Sequence, residues 1–343
     1  MGKKRLYNID LIKGFLIISV IIGHIVPGKV ENTFIRYMIY SFHMPIFIAV
    51  SGFLVNINTL AKMSFRDIAG KYFARLLIPW GIAVIVYNMT LHYASLSSMD
   101  AGGIAKFFIK AFVKPYYHLW FVLGFLSYII ITWLLLKLHF RNWMIVAAAV
   151  VISIISKFEW YHISNETAAK AVDIFHYDFR IYNYLFFVLG MLLKNRMSQS
   201  TASADLPSRK AVPGTLIKPA VILTFIGAAI TIYFFRHGNA FEKRCMYYLL
   251  NIPFAVMLLG LSCRDYFPRC RAVEYIGRNS MAFYLWHVTA KLAAAALAGQ
   301  GNGILYYTYS LLLLGLLYAL IYLLSGVTFI NRYLFGALRK TLS

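Results

Sequence analysis

The feature that most constrains this chain is a recurrence of apolar runs long enough to cross a hydrocarbon core, separated by short basic connections. A segment inside a bilayer must satisfy its own backbone N–H and C=O groups, and a run of about 20 apolar residues does so as a helix. Ten candidate spans lie near residues 11–27, 37–56, 73–93, 119–137, 143–157, 182–193, 217–235, 246–263, 281–298 and 304–324. The expected fold is all-α: a polytopic integral membrane helical bundle of about ten transmembrane helices. An even number of spans places both termini on one side. A composition of 61% hydrophobic and only 13% charged residues excludes an ordinary soluble domain pair of this length.

The net charge of +22 needs a different reading in such a chain. The basic residues form no continuous stripe for nucleic acid, so no nucleic-acid partner is expected. They cluster in the connections, as basic residues do on the cytoplasmic side of membrane proteins. Of the 34 Lys and Arg, 22 fall on the face carrying the termini and the even-numbered connections. Both termini are therefore expected to be cytoplasmic, in the inner (cytoplasmic) membrane. Cys245, Cys263 and Cys270 pair with neither one another nor histidine at a ligand spacing, so neither a disulfide framework nor a metal site is expected. The start MGKKR and its apolar run lack a small-residue cleavage site and read as an uncleaved first span. Residues 198–215, SQSTASADLPSRKAVPGT, read as a mobile cytoplasmic loop within one membrane domain covering 1–343.

Polar groups inside the spans carry the functional signal, because ionisable side chains at membrane depth are costly and mark pathways or sites. Asp10 and Lys13 are three residues apart on the first helix and neighbour each other on one face. Lys13 and His24 are close to three turns apart, so they share a stripe and lie about 16 Å apart along the axis. Span two carries Ser41-Phe42-His43-Met44-Pro45 and then Ser51-Gly52. A proline this deep is tolerated where other groups re-satisfy the backbone. His43 reads either as a histidine bonded to a neighbouring helix or as a member of a polar cavity shared with His24.

Lys71 and Arg75 open span three at the same predicted level as Lys13 and Asp10. Cations at a cytoplasmic mouth suit phosphate groups, Arg as a planar fork and Lys as a compact charge; positive-inside anchoring is the other reading, favoured for Lys71 but not for Arg75 or Lys13. At the opposite face His118 and Trp120 open span four and Arg180 precedes span six. These fit an aromatic belt and interfacial anchors, or contacts to an extracytoplasmic substrate. Asn279 and Ser280 read as a helix N-cap leading into span nine, where His287 is a third histidine at membrane depth.

At these residues the chain resembles the acyltransferase type 3 family of bacterial membrane O-acetyltransferases, in its fucose 4-O-acetylase-like branch. The basic residue and histidine separated by ten residues are Lys13 and His24. SFHMPIFIAVSGFL at 41–54, FARLLIPW with Arg75 and Pro79, HLWFVLGFL, FFVLG at 186–190 and IGRNSMAFYLWH at 276–287 follow in order. Tyr72 stands where many members place a second arginine, and Lys71 beside it cannot reproduce a bidentate guanidinium contact. No extracytoplasmic esterase-like domain follows, so transfer is expected within the membrane unit.

The resemblance implies acetyl-CoA as acyl donor and a sugar hydroxyl as acceptor, on a surface polysaccharide or its lipid-linked precursor. Lys13, Arg75 and Lys71 would then meet the donor's phosphates, and the pantetheine arm would reach His24 through a protein-lined tunnel. His24 would act either as a base toward the acceptor hydroxyl or as a transient acyl carrier. Asp10 would hold Lys13, and His43 would orient His24 or polarise the thioester. His118, Trp120, Arg180 and His287 are candidate acceptor contacts. A proton-coupled transporter or flippase for a glycan-type substrate, and a non-catalytic membrane sensor, are the other classes that intramembrane histidines allow. The expected partners are acyl-CoA, the sugar acceptor and the bilayer; oligomeric state is left open.

Overall fold

Almost every apolar run forms a helix, because a helix alone closes the backbone hydrogen bonds of an isolated segment. The computed structural model describes residues 7–159, 163, 165–199, 214–262, 267–299 and 302–336, and the chain is 84% helix, with no strand among the described residues. In order the helices are α1 (Tyr7–Ile25), α2 (Phe34–Phe53), α3 (Ile57–Lys62), α4 (Phe65–Tyr72), α5 (Ile78–Leu91), α6 (Tyr93–Leu96), α7 (Ala101–Val113) and α8 (Trp120–Lys137). Then follow α9 (Asn142–Phe158), α10 (Glu166–Asp173), α11 (Tyr184–Gln199), α12 (Gly214–His237) and α13 (Ala240–Leu261). The last are α14 (Arg271–Arg278), α15 (Ser280–Ala298), α16 (Gly303–Leu324) and α17 (Thr328–Tyr333).

Among the described residues, eight helical stretches are long and apolar enough to cross a membrane: α1, α2, the continuous run Phe65–Leu91, α8, α12, α13, α15 and α16. The two other expected spans form the shorter helices α9 and α11, of 17 and 16 residues. At 1.5 Å per residue these reach about 24–26 Å, somewhat short of a hydrocarbon core of about 30 Å. Most of the expected loop at 198–215 lies outside the described residues. Short helices not expected from the apolar runs fill several connections; the longest, α7, lies between spans three and four, with Asp100 capping it through the Gly103 N–H at 2.8 Å.

The chain divides into two compact units, residues 1–62, 130–161 and 182–280 in the first and 63–129, 162–181 and 281–343 in the second. In the first unit, two helix crossings are made backbone to backbone at glycine. A Cβ on Gly277 of α14 would stand 1.7 Å from the Asp10 carbonyl, and one on Gly14 of α1 would stand 2.0 Å from the Val273 carbonyl. Gly52 of α2 and Gly190 of α11 meet the Phe187 and Ala49 carbonyls in the same way, at 2.0 and 1.9 Å. Small residues at crossings let membrane helices approach this closely.

Pro45, inside α2, has no N–H to offer the carbonyl four residues earlier, that of Ser41. Asn251 of α13 supplies the missing donor: its Nδ2 reaches the Ser41 oxygen at 2.7 Å and the Tyr247 oxygen at 2.7 Å, with the residue fully buried. The expectation that a polar neighbour re-satisfies the backbone at Pro45 is thus met by one named side chain.

The second unit is tied by aromatic side chains that donate to backbone carbonyls. Trp80 Nε1 donates to Leu119 at 3.0 Å, the Tyr87 hydroxyl to Leu285 at 2.8 Å, and Trp286 Nε1 to Leu334 at 3.1 Å. Residues 73–77 between α4 and α5 form a π-segment just before Pro79, whose missing N–H removes the partner of the Arg75 carbonyl. Gly336 passes that carbonyl so closely that a Cβ there would lie 2.3 Å from it. On α16, Leu311, Leu312, Leu316 and Leu323 stay exposed, as residues facing lipid do.

Candidate active site

The polar groups predicted from the first two spans lie in the first unit as two groups, one toward each end of α1. Asp10 is 6% exposed and its Oδ1 lies 3.5 Å from Lys13 Nζ, an i,i+3 pair along α1. The crossing at Gly14 and Gly277 lays α14 over this pair. From α14, buried Glu274 joins Arg278 across one turn at 3.4 Å. The crossing of α1 and α14 therefore carries two carboxylates and two cations in paired form, which removing a single partner would leave uncompensated. Sequence reasoning placed Asp10 and Lys13 here but read Asn279 and Ser280 as a cap and 276–287 as a motif, and so gave no role to Glu274 or Arg278. The available signal was the glycine at each crossing point.

Nearer the other end of α1, His24 is 7% exposed and His43 of α2 is 3% exposed. Tyr40 contacts both rings, its centroid 6.2 Å from that of His24 and 5.0 Å from that of His43 in an edge-on arrangement. His43 Nδ1 lies 2.6 Å from the Ile39 carbonyl of its own helix. A carbonyl can only accept, so Nδ1 carries the proton there and Nε2 is the basic nitrogen of the neutral ring. This bond of His43 is thus to its own helix rather than to a neighbouring one, and Tyr40 brings the ring into one aromatic group with His24. Tyr40, which links the two imidazoles, was not singled out from the sequence.

The remaining predicted residues lie in the second unit. Lys71 and Arg75 are both exposed, on α4 and the π-segment that follows it. Tyr72 is buried against Phe125, ring centroids 6.1 Å apart. Position 72 therefore points inward where Lys71 points outward, and Lys71 occupies a different side of the helix. Arg180 adopts a left-handed backbone at φ 50° and sets its guanidinium 4.3 Å from the Trp120 ring centroid, a cation–π contact. The Tyr128 hydroxyl donates to the Arg180 carbonyl at 2.8 Å and holds the turn.

His118 and His287 also meet, with ring centroids 5.0 Å apart, inside an aromatic cage that includes Tyr87 and Tyr284. His287 Nδ1 lies 2.9 Å from both the Phe283 and the Tyr284 carbonyls, and His118 Nε2 lies 3.3 Å from that of Leu285. Burial, reinforced by His287 and Lys291, holds the His118 imidazole well below its usual pKa, so this ring is neutral at physiological pH. Ring contacts and a bond from His118 to the Leu285 carbonyl thus tie the entry of α8 to α15.

Compared with known proteins, residues 6–330 match the family model described as an acyltransferase domain, type 3. The chain belongs to the acyltransferase type 3 family. Family membership and the eight long apolar helices make it a multi-pass membrane protein. It is 30% identical over 167 residues to a nodulation protein, NolL, of Sinorhizobium fredii (strain NBRC 101917 / NGR234), covering 45% of this chain and 43% of that protein. A second nodulation protein NolL, from Mesorhizobium japonicum (strain LMG 29417 / CECT 9101 / MAFF 303099), is 27% identical over 156 residues, 43% of this chain and 40% of the relative. The chain thus spans less than half the length of the curated relatives it matches. No solved structure matches the chain.

Proposed function

We propose that this member of the family is an O-acyltransferase that moves an acetyl group from cytoplasmic acetyl-CoA to a sugar hydroxyl of a surface polysaccharide or its lipid-linked precursor. In this reading the chain is one membrane domain of the inner membrane with ten spans and both termini in the cytoplasm. The observation that carries it is the buried imidazole pair of His24 and His43 around Tyr40, with His24 on the same helix as the Asp10–Lys13 ion pair. A family that transfers acyl groups needs a base or nucleophile, and an imidazole supplies either near neutral pH.

Transfer forms a bond from the acceptor oxygen to the thioester carbonyl carbon and breaks the carbon–sulfur bond. The hydroxyl proton passes to His24 and ends on the departing thiolate. If His24 is first acylated, the ring takes the acyl group and passes it on to the same oxygen. His43, its Nδ1 proton committed to Ile39, orients the neighbouring ring through Tyr40; polarising the thioester carbonyl, its alternative role, would need Nε2 protonated as well. Asp10 holds Lys13, and Lys13, Arg75 and Lys71 are each proposed as cationic contacts for the donor's phosphates. His118, Trp120, Arg180 and His287 are proposed on the acceptor side, with Arg180 over Trp120 presenting the accessible charge.

The test follows labelled acetyl groups from acetyl-CoA into glycan in membranes carrying wild type or His24→Ala. Loss of a base or nucleophile is expected to lower transfer by about 10²-fold or more, with the detergent-solubilised variant melting like wild type. A folded His24→Ala protein that labels its acceptor at the wild-type rate would remove His24 from the mechanism.

A further inference from the structure

Beside the imidazole pair, the first unit contains a cavity of about 150 Å³ whose wall includes Tyr37, Tyr40, Ser41, Thr231, Lys243 and Tyr247. Tyr40 is common to this wall and to the contacts with His24 and His43, so the cavity adjoins the proposed reacting centre. Val30, in the connection just after α1, also lines it, which places the cavity at the His24 end of that helix rather than at the Lys13 end.

Each of the three tyrosines in the wall is faced by a cation. Lys157 Nζ lies 3.9 Å from the Tyr247 ring centroid, the Arg36 guanidinium 5.3 Å from that of Tyr40, and Lys243 Nζ 5.7 Å from that of Tyr37. A ring face attracts a cation without neutralising it. Glu242, the sequence neighbour of Lys243, and the carboxylate of Glu159 are engaged elsewhere. Glu242 accepts the Asn239 N–H at 2.8 Å in a capping box, and Glu159 pairs with Arg244 at 3.0 Å. Among the described residues Lys243 makes no ion pair.

The hydroxyls of the wall have a definite polarity. Ser41 Oγ donates to the Met38 carbonyl at 2.6 Å and Thr231 Oγ1 to the Gly227 carbonyl at 2.7 Å. With their protons committed, both offer lone pairs to the cavity. The cavity therefore presents aromatic faces, acceptors for hydroxyl protons and an unneutralised positive charge. Sugar rings lie on aromatic faces through their C–H groups, and their hydroxyls donate to such acceptors; the charge asks for an anion.

We propose that this cavity is the acceptor-recognition subsite and that it takes an anionic sugar residue, carboxylate- or phosphate-bearing, whose charge is read by Lys243. The assignment rests on the preceding reading that the chain acylates a sugar, but its test does not depend on turnover. Binding of glucuronate, glucose 6-phosphate and glucose to the purified full chain in detergent is followed by titration calorimetry. Wild type is expected to bind at least one anionic sugar at least about tenfold more tightly than glucose, and Lys243→Gln to lose that preference, as removal of a charge-assisted contact does. Lys170→Gln, an exposed lysine of the second unit, keeps it. Which of the two anions binds identifies the acidic group.

Equal binding of all three sugars, no binding of any of them, or an unchanged preference in Lys243→Gln would overturn the proposal. Charge-selective binding without any acetyl transfer would retain the subsite and remove the proposed acetyl transfer. Normal acetyl transfer with no charge selectivity would do the reverse.

Discussion

At the scale of single residues, the described spans show how one side chain repairs what another breaks. Pro45 deprives the Ser41 carbonyl of its helical donor, and Asn251 restores it from a different helix. Replacing Asn251 with Leu leaves that carbonyl unsatisfied in a dry environment, a loss of about 1–3 kcal/mol. The expected result is a lower melting temperature of the solubilised protein. In Pro45→Ala the backbone supplies its own N–H, so Asn251→Leu is expected to cost less in that background; equal costs in a double-mutant cycle would show the two sites to be independent. The same scale explains which predicted site residues were easy to find. His24, His43, Asp10 and Lys13 are polar groups in apolar runs and stand out on any reading, whereas Tyr40 is one tyrosine among 25. Its position between two imidazoles depends on the packing of α1 against α2.

At the scale of elements, the crossing of α1 and α14 is set by backbone proximity. With a Cβ at Gly277 only 1.7 Å from the Asp10 carbonyl, Gly277→Ala cannot be absorbed by a side-chain rotation. The helices must separate, at a cost of about 1–3 kcal/mol for overpacking of this kind. Because Asp10 and Lys13 ride on the same turn of α1, the variant is expected to lower thermal stability and, under the proposed function, to weaken acetyl-CoA binding, both measurable on purified protein. Gly70→Ala, on a helix face with open space, should change neither. The short amphipathic α14 was legible only as part of a motif and an N-cap. Its role in burying Glu274 beside α1 needed the tertiary contact. The π-segment before Pro79 was likewise hidden, since proline announces a disturbed helix without saying how the turn upstream adapts.

For the whole molecule, the charge distribution predicts a topology that chemistry can check directly. In a variant with Cys245 and Cys263 replaced by Ser, the exposed Cys270 lies on the face assigned to the cytoplasm. A membrane-impermeant maleimide is expected to leave Cys270 untouched in intact cells and to modify it after permeabilisation. With Cys270 also replaced by Ser, Ser98→Cys in the connection before α7 should react in intact cells. The opposite pattern would invert the orientation, and with it the side from which donor and acceptor enter. Eight helices have clear spanning length, so α9 and α11 decide whether the crossing number is ten.

The sequence by itself determined the class of fold, because hydrocarbon admits only self-satisfied backbone and apolar runs of this length satisfy themselves as helices. It also exposed the costly groups, since a buried charge or imidazole is conspicuous against an apolar background. Only the tertiary structure decided which of those groups meet: His24 with Tyr40 and His43, His118 with His287, and Arg180 with Trp120. Such meetings depend on how closely helices cross and at what rotation. Those quantities are fixed by glycines, prolines and carbonyls acting across long sequence separations, which no local pattern records.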